Sequence, residues 1–141
     1  MAVKQNGFTL LELLVVIAVI ALGTAGVALA MRDGNQTLIE REAVRLAALL
    51  DAARGQSRAS GVRVTWDAPS DGKPTMRWTG LRNREPLPNT WLDAQVQVIG
   101  SAQLVLGPEP VITPQQVRLQ MGNDTRLIVT DGVSAFRVVQ P

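Results

Sequence analysis

Gly7-Phe8-Thr9-Leu10-Leu11-Glu12 runs directly into residues 13–31, LLVVIAVIALGTAGVALAM, nineteen positions without a charge. As a helix rising 1.5 Å per residue, that run spans about 28 Å, close to the hydrocarbon thickness of a bilayer. Lys4, Gln5 and Asn6 precede it, and Arg32 and Asp33 follow it. Three readings account for such a run. In a cleaved secretory signal, Lys4 supplies the basic start and Ala28-Leu29-Ala30 the small-x-small cleavage site, but the run exceeds the usual apolar core of about 7–15 residues. Glu12 also stands where such a signal turns apolar. In a plain single-pass anchor, Glu12 either snorkels into the headgroups or needs a partner for its charge. The third reading takes residues 4–12 as one unit, in which Gly7, Phe8 and Glu12 hold fixed offsets ahead of a spanning helix.

Composition removes most chemistry. The 141 residues suit one domain with an appendage. Cysteine and histidine are both absent, which excludes disulfides, thiol nucleophiles and thiolate or imidazole metal sites. Histidine-based acid–base catalysis goes with them. Fourteen basic and twelve acidic residues leave a net charge of +2, too balanced to announce a nucleic-acid binder.

After Met31, Arg32-Asp33-Gly34-Asn35 reads as a turn-like interruption. Helical period returns over residues 37–54, where Ile39, Ala43, Leu46, Leu50 and Ala53 form one stripe and Glu40, Arg41, Glu42, Arg45 and Asp51 occupy other faces. The helix is expected to stop between Gly55 and Gly61. The remainder alternates with a period of two. Val62, Val64 and Trp66 predict one strand, and Met76 and Trp78 a second, so residues 67–74 connect them. Val96 and Val98 predict a third strand, and residues 104–106 a fourth. A fifth, at 117–121, turns at Gly122-Asn123-Asp124 into 127–129. Asp131-Gly132 then turns into a last strand near 136–139. One amphipathic helix over mostly antiparallel strands is an α+β arrangement.

The unit 4–12 with its apolar helix resembles the type IV pilin-like family, whose signature is a short basic leader, Gly-Phe-Thr-Leu-x-Glu and an apolar helix. The likeness runs without a gap from residue 7 to about residue 20. It implies a pilin-like α+β fold in which a long N-terminal helix, membrane-spanning in its first half, packs on mostly antiparallel sheet. The boundaries it implies are a cleaved leader at 1–7, the transmembrane half of the helix at 8–31, a periplasmic helical half at 32–61, and a β-rich remainder of the same globular domain at 62–141. It further implies that a prepilin peptidase cuts between Gly7 and Phe8 and methylates the new amino group of Phe8. Glu12 would then pair with the N-terminal ammonium of a neighbouring subunit. Physical chemistry agrees, since an unpaired carboxylate and an unpaired ammonium are both costly at low dielectric, and pairing offsets both costs. Lys4 would keep the leader cytoplasmic.

Leu106-Gly107-Pro108-Glu109-Pro110-Val111-Ile112, the strand at 117–121 and Leu127-Ile128-Val129-Thr130-Asp131-Gly132 look like the H-type minor pseudopilins of the type II secretion system, while residues 67–93 match only loosely. That resemblance implies a structural subunit, not an enzyme. It would sit near the tip of a periplasmic pseudopilus that helps drive folded proteins across the outer membrane. The implied partners are major G-type and minor I-, J- and K-type pseudopilins, the prepilin peptidase and the inner-membrane secretion platform. The implied location is the inner membrane, single-pass, with the C-terminal domain periplasmic. The alternative is a type IV pilus minor pilin that binds DNA for uptake.

Other patterns are weaker. Ala18, Ala21, Ala25 and Ala28 form a small-residue stripe that suits close helix packing in lipid, or simply reflect the frequency of alanine in apolar helices. Asp67 to Asp71 lacks the ligand spacing of a calcium loop and reads as an acidic turn. No catalytic, cofactor or metal residue is expected. Arg77, Arg82 and Arg84 around Trp78 suit single-stranded nucleic acid superficially, but acidic residues interleave and Trp78 alternates like a core residue. Trp91 either caps the core or makes an exposed contact.

Overall fold

The structure is a computed structural model that describes residues 9–69, 75–82, 86–100 and 102–140, without the side chains of residues 25 and 27–33. Helix α1 runs Leu10–Ser60, with no proline inside it. Residues 32–35, expected as a turn, are helical. The reason is energetic: a glycine within a helix costs about 1 kcal/mol, too little to break a helix that is strongly helical on both sides. The end falls where expected. Gly61 follows Ser60 with φ +66°, the left-handed conformation that closes helices and favours glycine. The Ser57 hydroxyl donates to the Val62 carbonyl at 2.6 Å across that end.

The chain divides into two compact units, residues 1–34 and 35–141. In the first, residues 10–24 of α1 are exposed all round, with Leu10 at 82% and Leu22 at 75%. A helical stretch that is apolar on most faces and exposed suits lipid or other helices. Among the described residues no helix is long and apolar enough to cross a membrane. Residues 10–24 rise only about 22 Å at 1.5 Å per residue, and the rest of the apolar run continues into positions whose side chains are not described.

In the second unit, the helical stripe packs as its spacing predicts. Ile39, Ala43, Leu46, Leu50 and Ala53 are all fully buried. They share one core with strands β1 (Thr65–Ala68), β2 (Arg77–Thr79), β3 (Gln97–Ile99), β4 (Ala102–Val105), β5 (Gln115–Met121), β6 (Asp124–Thr130) and β7 (Arg137–Val139). The strands form two sheets, ordered β2-β1-β4 and β3-β5-β6-β7, and every pairing is antiparallel. In the three-stranded sheet Trp66 stands opposite both Trp78 and Leu104. In the four-stranded sheet Val117, Leu119 and Met121 are buried on one face while Arg118 is exposed, as alternation requires. β5 and β6 join through the two-residue turn Gly122-Asn123.

Two devices follow from packing alone. The Gln115 side-chain amide takes the place of a strand against the Val105 backbone, accepting from its N–H at 2.7 Å and donating to its carbonyl at 2.9 Å. It satisfies backbone groups at the edge of β4 that would otherwise go unpaired. Gly132, at φ +90°, lies so close to Ile112 that a Cβ there would meet the Ile112 carbonyl oxygen at 1.8 Å. Only glycine fits that crossing.

Candidate functional site

Gly7 and Phe8, the expected cleavage and methylation positions, lie outside the described residues. Glu12 is described and sits in the first turn of α1, exposed. Its backbone N–H donates to the Thr9 hydroxyl oxygen at 3.2 Å, and the Leu13 N–H donates to the Thr9 carbonyl at 3.2 Å. Thr9 is therefore the residue that caps the helix, supplying an acceptor to one of the backbone donors that a helix start leaves open. Thr9-Leu10-Leu11-Glu12 is a Ser/Thr-x-x-Glu capping sequence. The Thr9–Glu12 spacing carries that signal in the chain itself.

Among the described residues, the Glu12 carboxylate has no hydrogen-bond or ion-pair partner. A carboxylate in a first helical turn is favoured by the helix dipole, so Glu12 fits its own helix. The four leucines around it, Leu10, Leu11, Leu13 and Leu14, are 52–82% exposed. Ala18 and Ala21 of the expected small-residue stripe are exposed as well, and the side chains of Ala25 and Ala28 lie outside the described residues. The Thr24 hydroxyl donates to the Ala21 carbonyl at 3.0 Å, which hides a polar group on an otherwise apolar surface.

In the globular unit, charged side chains serve as ties. Glu42, expected on an outward face, is instead 2% exposed. Its carboxylate accepts the Leu92 N–H at 2.7 Å and pairs with Arg45 at 2.7 Å. The segment around Trp91 folds over that part of α1 and covers it, which helical period could not foretell. Asp51 accepts the Phe136 N–H through both oxygens. Arg126 pairs with Glu40.

Arg54 is the most demanding of these residues. It is 4% exposed and donates to the carbonyls of Ser134 at 2.9 Å, Pro110 at 3.4 Å, Val133 at 3.5 Å and Gly132. Burial, and secondarily the neighbouring Arg58, hold its pKa below the usual guanidinium value, against the opposing pull of Asp51 and Asp131. The guanidinium thereby clamps two loops to the helix. Asp131 shapes one of them, accepting from the N–H groups of Ser134 and Val133 and from the Ser134 hydroxyl. Those bonds hold its carboxyl below the ordinary carboxylate range.

No group of three or more acidic residues that could hold a metal ion occurs among the described residues. Asp67 lies 3.7 Å from Arg77, and Asp71 lies outside the described residues. Arg77 and Arg82 are exposed, and Arg84 lies outside the described residues. Trp78 is half-buried and its indole N–H donates to the Pro88 carbonyl at 2.8 Å. Trp66 lies between Trp78, at 6.4 Å and 58°, and Trp91, at 6.5 Å and 80°. Trp91 is 8% exposed, so of its two possible roles it takes the core one.

A family profile described as the prokaryotic N-terminal methylation motif matches residues 3–28. No curated protein and no solved structure matches the chain significantly. A motif of this prepilin type implies processing by prepilin peptidase and assembly with other pilin-like subunits, and it suggests anchoring through the N-terminus. The α+β architecture with antiparallel sheets is consistent with a pilin-like fold. Together, the N-terminal motif and this architecture support a type IV pilin-like or pseudopilin family for the chain.

Proposed function

We propose that this chain is an H-type minor pseudopilin of the type II secretion system, a structural subunit and not a catalyst. The observation that supports the pilin-like part of this reading is the methylation motif at residues 3–28, running into a helix whose apolar side chains are exposed and whose Glu12 carboxylate has no partner among the described residues. The likeness of residues 106–112, 117–121 and 127–132 supports the H-type part. Prepilin peptidase cuts between Gly7 and Phe8 and methylates Phe8. The N-terminal ammonium so created pairs with Glu12 of a neighbouring subunit. Residues 8–31 hold the subunit in the inner membrane until assembly, with the domain from residue 32 onward in the periplasm. The subunit sits near the pseudopilus tip, between the I-, J- and K-type subunits and the G-type filament.

The intact mass of the chain extracted from the inner membrane of its native host tests the pathway. A product beginning at Phe8 with one added methyl group is the expected result. A product beginning at Met31 would make it a secreted domain and remove the role of Glu12. Co-purification with G-, I-, J- or K-type subunits tests the finer assignment. Salt-dependent binding of single-stranded DNA in the absence of those partners would instead favour the minor pilin of a DNA-uptake pilus.

A further inference from the structure

Strand β2 and the segment 86–89 enclose a cavity of about 340 Å³, at the small end of the range for ligand sites, about 300–1,000 Å³. Met76, Trp78, Leu81 and Leu87 supply apolar walls, and Arg77 and Asn89 are exposed polar residues lining it. The walls are held in place. The Met76 N–H donates to the Asn89 carbonyl at 2.7 Å, and the Trp78 indole N–H to the Pro88 carbonyl at 2.8 Å. Thr75 and Thr90 form a further antiparallel bridge.

Among the described residues that line the cavity, Arg77 is the only charged one. Its side chain is 65% exposed and its contact with Asp67 is a loose 3.7 Å, so the guanidinium can take a second carboxylate. The Asn89 amide offers both a donor and an acceptor, as a peptide backbone requires. We propose that this cavity takes one large apolar side chain of an extended peptide segment from another protein, with an adjacent acidic residue held by Arg77. A nucleic-acid occupant fits less well. Strand binding without sequence preference uses successive exposed aromatic platforms along a basic track. Trp78 instead packs against Trp66 and is half-buried, so it offers no fully exposed platform. The inference stands apart from the secretion assignment, because it uses only the geometry around β2.

The test uses the full chain in detergent micelles and a set of fluorescein-labelled hexapeptides, read by anisotropy. Their third residue is Phe, Trp, Leu or Ala and their fourth is Asp or Lys. Peptides with a large apolar residue followed by Asp should bind about tenfold tighter than the Ala-Asp peptide. Arg77→Glu should weaken the Asp series about threefold or more and leave the Lys series no weaker. Leu87→Trp, which fills the cavity, should abolish the preference for a large third residue. Arg77→Glu alters only an exposed side chain, so it stays informative if Leu87→Trp misfolds. Equal binding across the set, or no binding at all, would overturn the proposal. So would saturable binding of a thymidine dodecamer that is lost in both variants, which would assign the cavity to nucleic acid.

Discussion

Glu12→Gln separates what this residue does for its own helix from the role proposed for it in assembly. In the subunit, Glu12 is exposed and its backbone N–H bonds to Thr9, a contact that glutamine keeps. The loss within the helix is confined to the charge–dipole interaction, about 0.3–1 kcal/mol. In an assembly where the carboxylate meets a neighbour's N-terminal ammonium in an apolar surround, removing one partner strands the other, at about 3–5 kcal/mol. A cost of about 3–5 kcal/mol corresponds to a hundredfold or greater loss of association per contact. Thr9→Val is the matched control, since it removes the capping hydroxyl, worth about 0.5–2 kcal/mol, and leaves the charge pair intact. Both variants, expressed in the native host, are compared by disulfide-free chemical cross-linking to neighbouring pilin-like subunits and by the intact mass of the processed chain. Processing should survive in both. Cross-linking should collapse in Glu12→Gln and fall only modestly in Thr9→Val. Equal retention of cross-links in the two variants, or a larger loss in Thr9→Val, would refute the inter-subunit pair and reduce Glu12 to a helix-starting residue.

Gly7→Leu should block processing, leaving a chain whose intact mass includes residues 1–7, whereas normal trimming would exclude cleavage at this position. Arg54→Met removes charge-assisted bonds to Gly132 and Ser134, each worth about 1.5–3 kcal/mol. Relief of the buried charge returns part of this, so urea unfolding followed by tryptophan fluorescence should show a net loss of about 2–4 kcal/mol, and no loss would deny the clamp. Gly132→Ala forces a Cβ onto the Ile112 carbonyl, and the same assay should register more than about 2 kcal/mol of destabilisation. The Asp131 carboxyl is held below its ordinary pKa, so its contribution is complete above the unfolded value near ~4 and is lost as pH falls through the folded value. Asp131→Asn should flatten the acid limb of the stability–pH curve below about pH 4, and an unchanged limb would contradict the bonds drawn to Val133 and Ser134.

Sequence and structure divide this molecule along the range of the interactions involved. Fixed offsets and periodicity are local, so the chain alone determined the unit from Gly7 to Glu12, the apolar run after it, and the buried stripe from Ile39 to Ala53. Strand alternation likewise placed β1 to β7 to within a few residues, and Thr9 was readable as a cap from its spacing to Glu12. Three features depended on more than their own local sequence. Glu42 is buried because Leu92, fifty residues on, donates to it. Arg54 acts as a clamp because carbonyls 56–80 residues away converge on it. The continuity of α1 through residues 32–35 reflects helix on both sides outweighing a weak local preference for a turn. The split into two sheets, the Gln115 amide on the edge of β4 and the cavity beside Trp78 have the same origin. A residue's period states which face of its own element it occupies, and only the folded chain decides what that face meets.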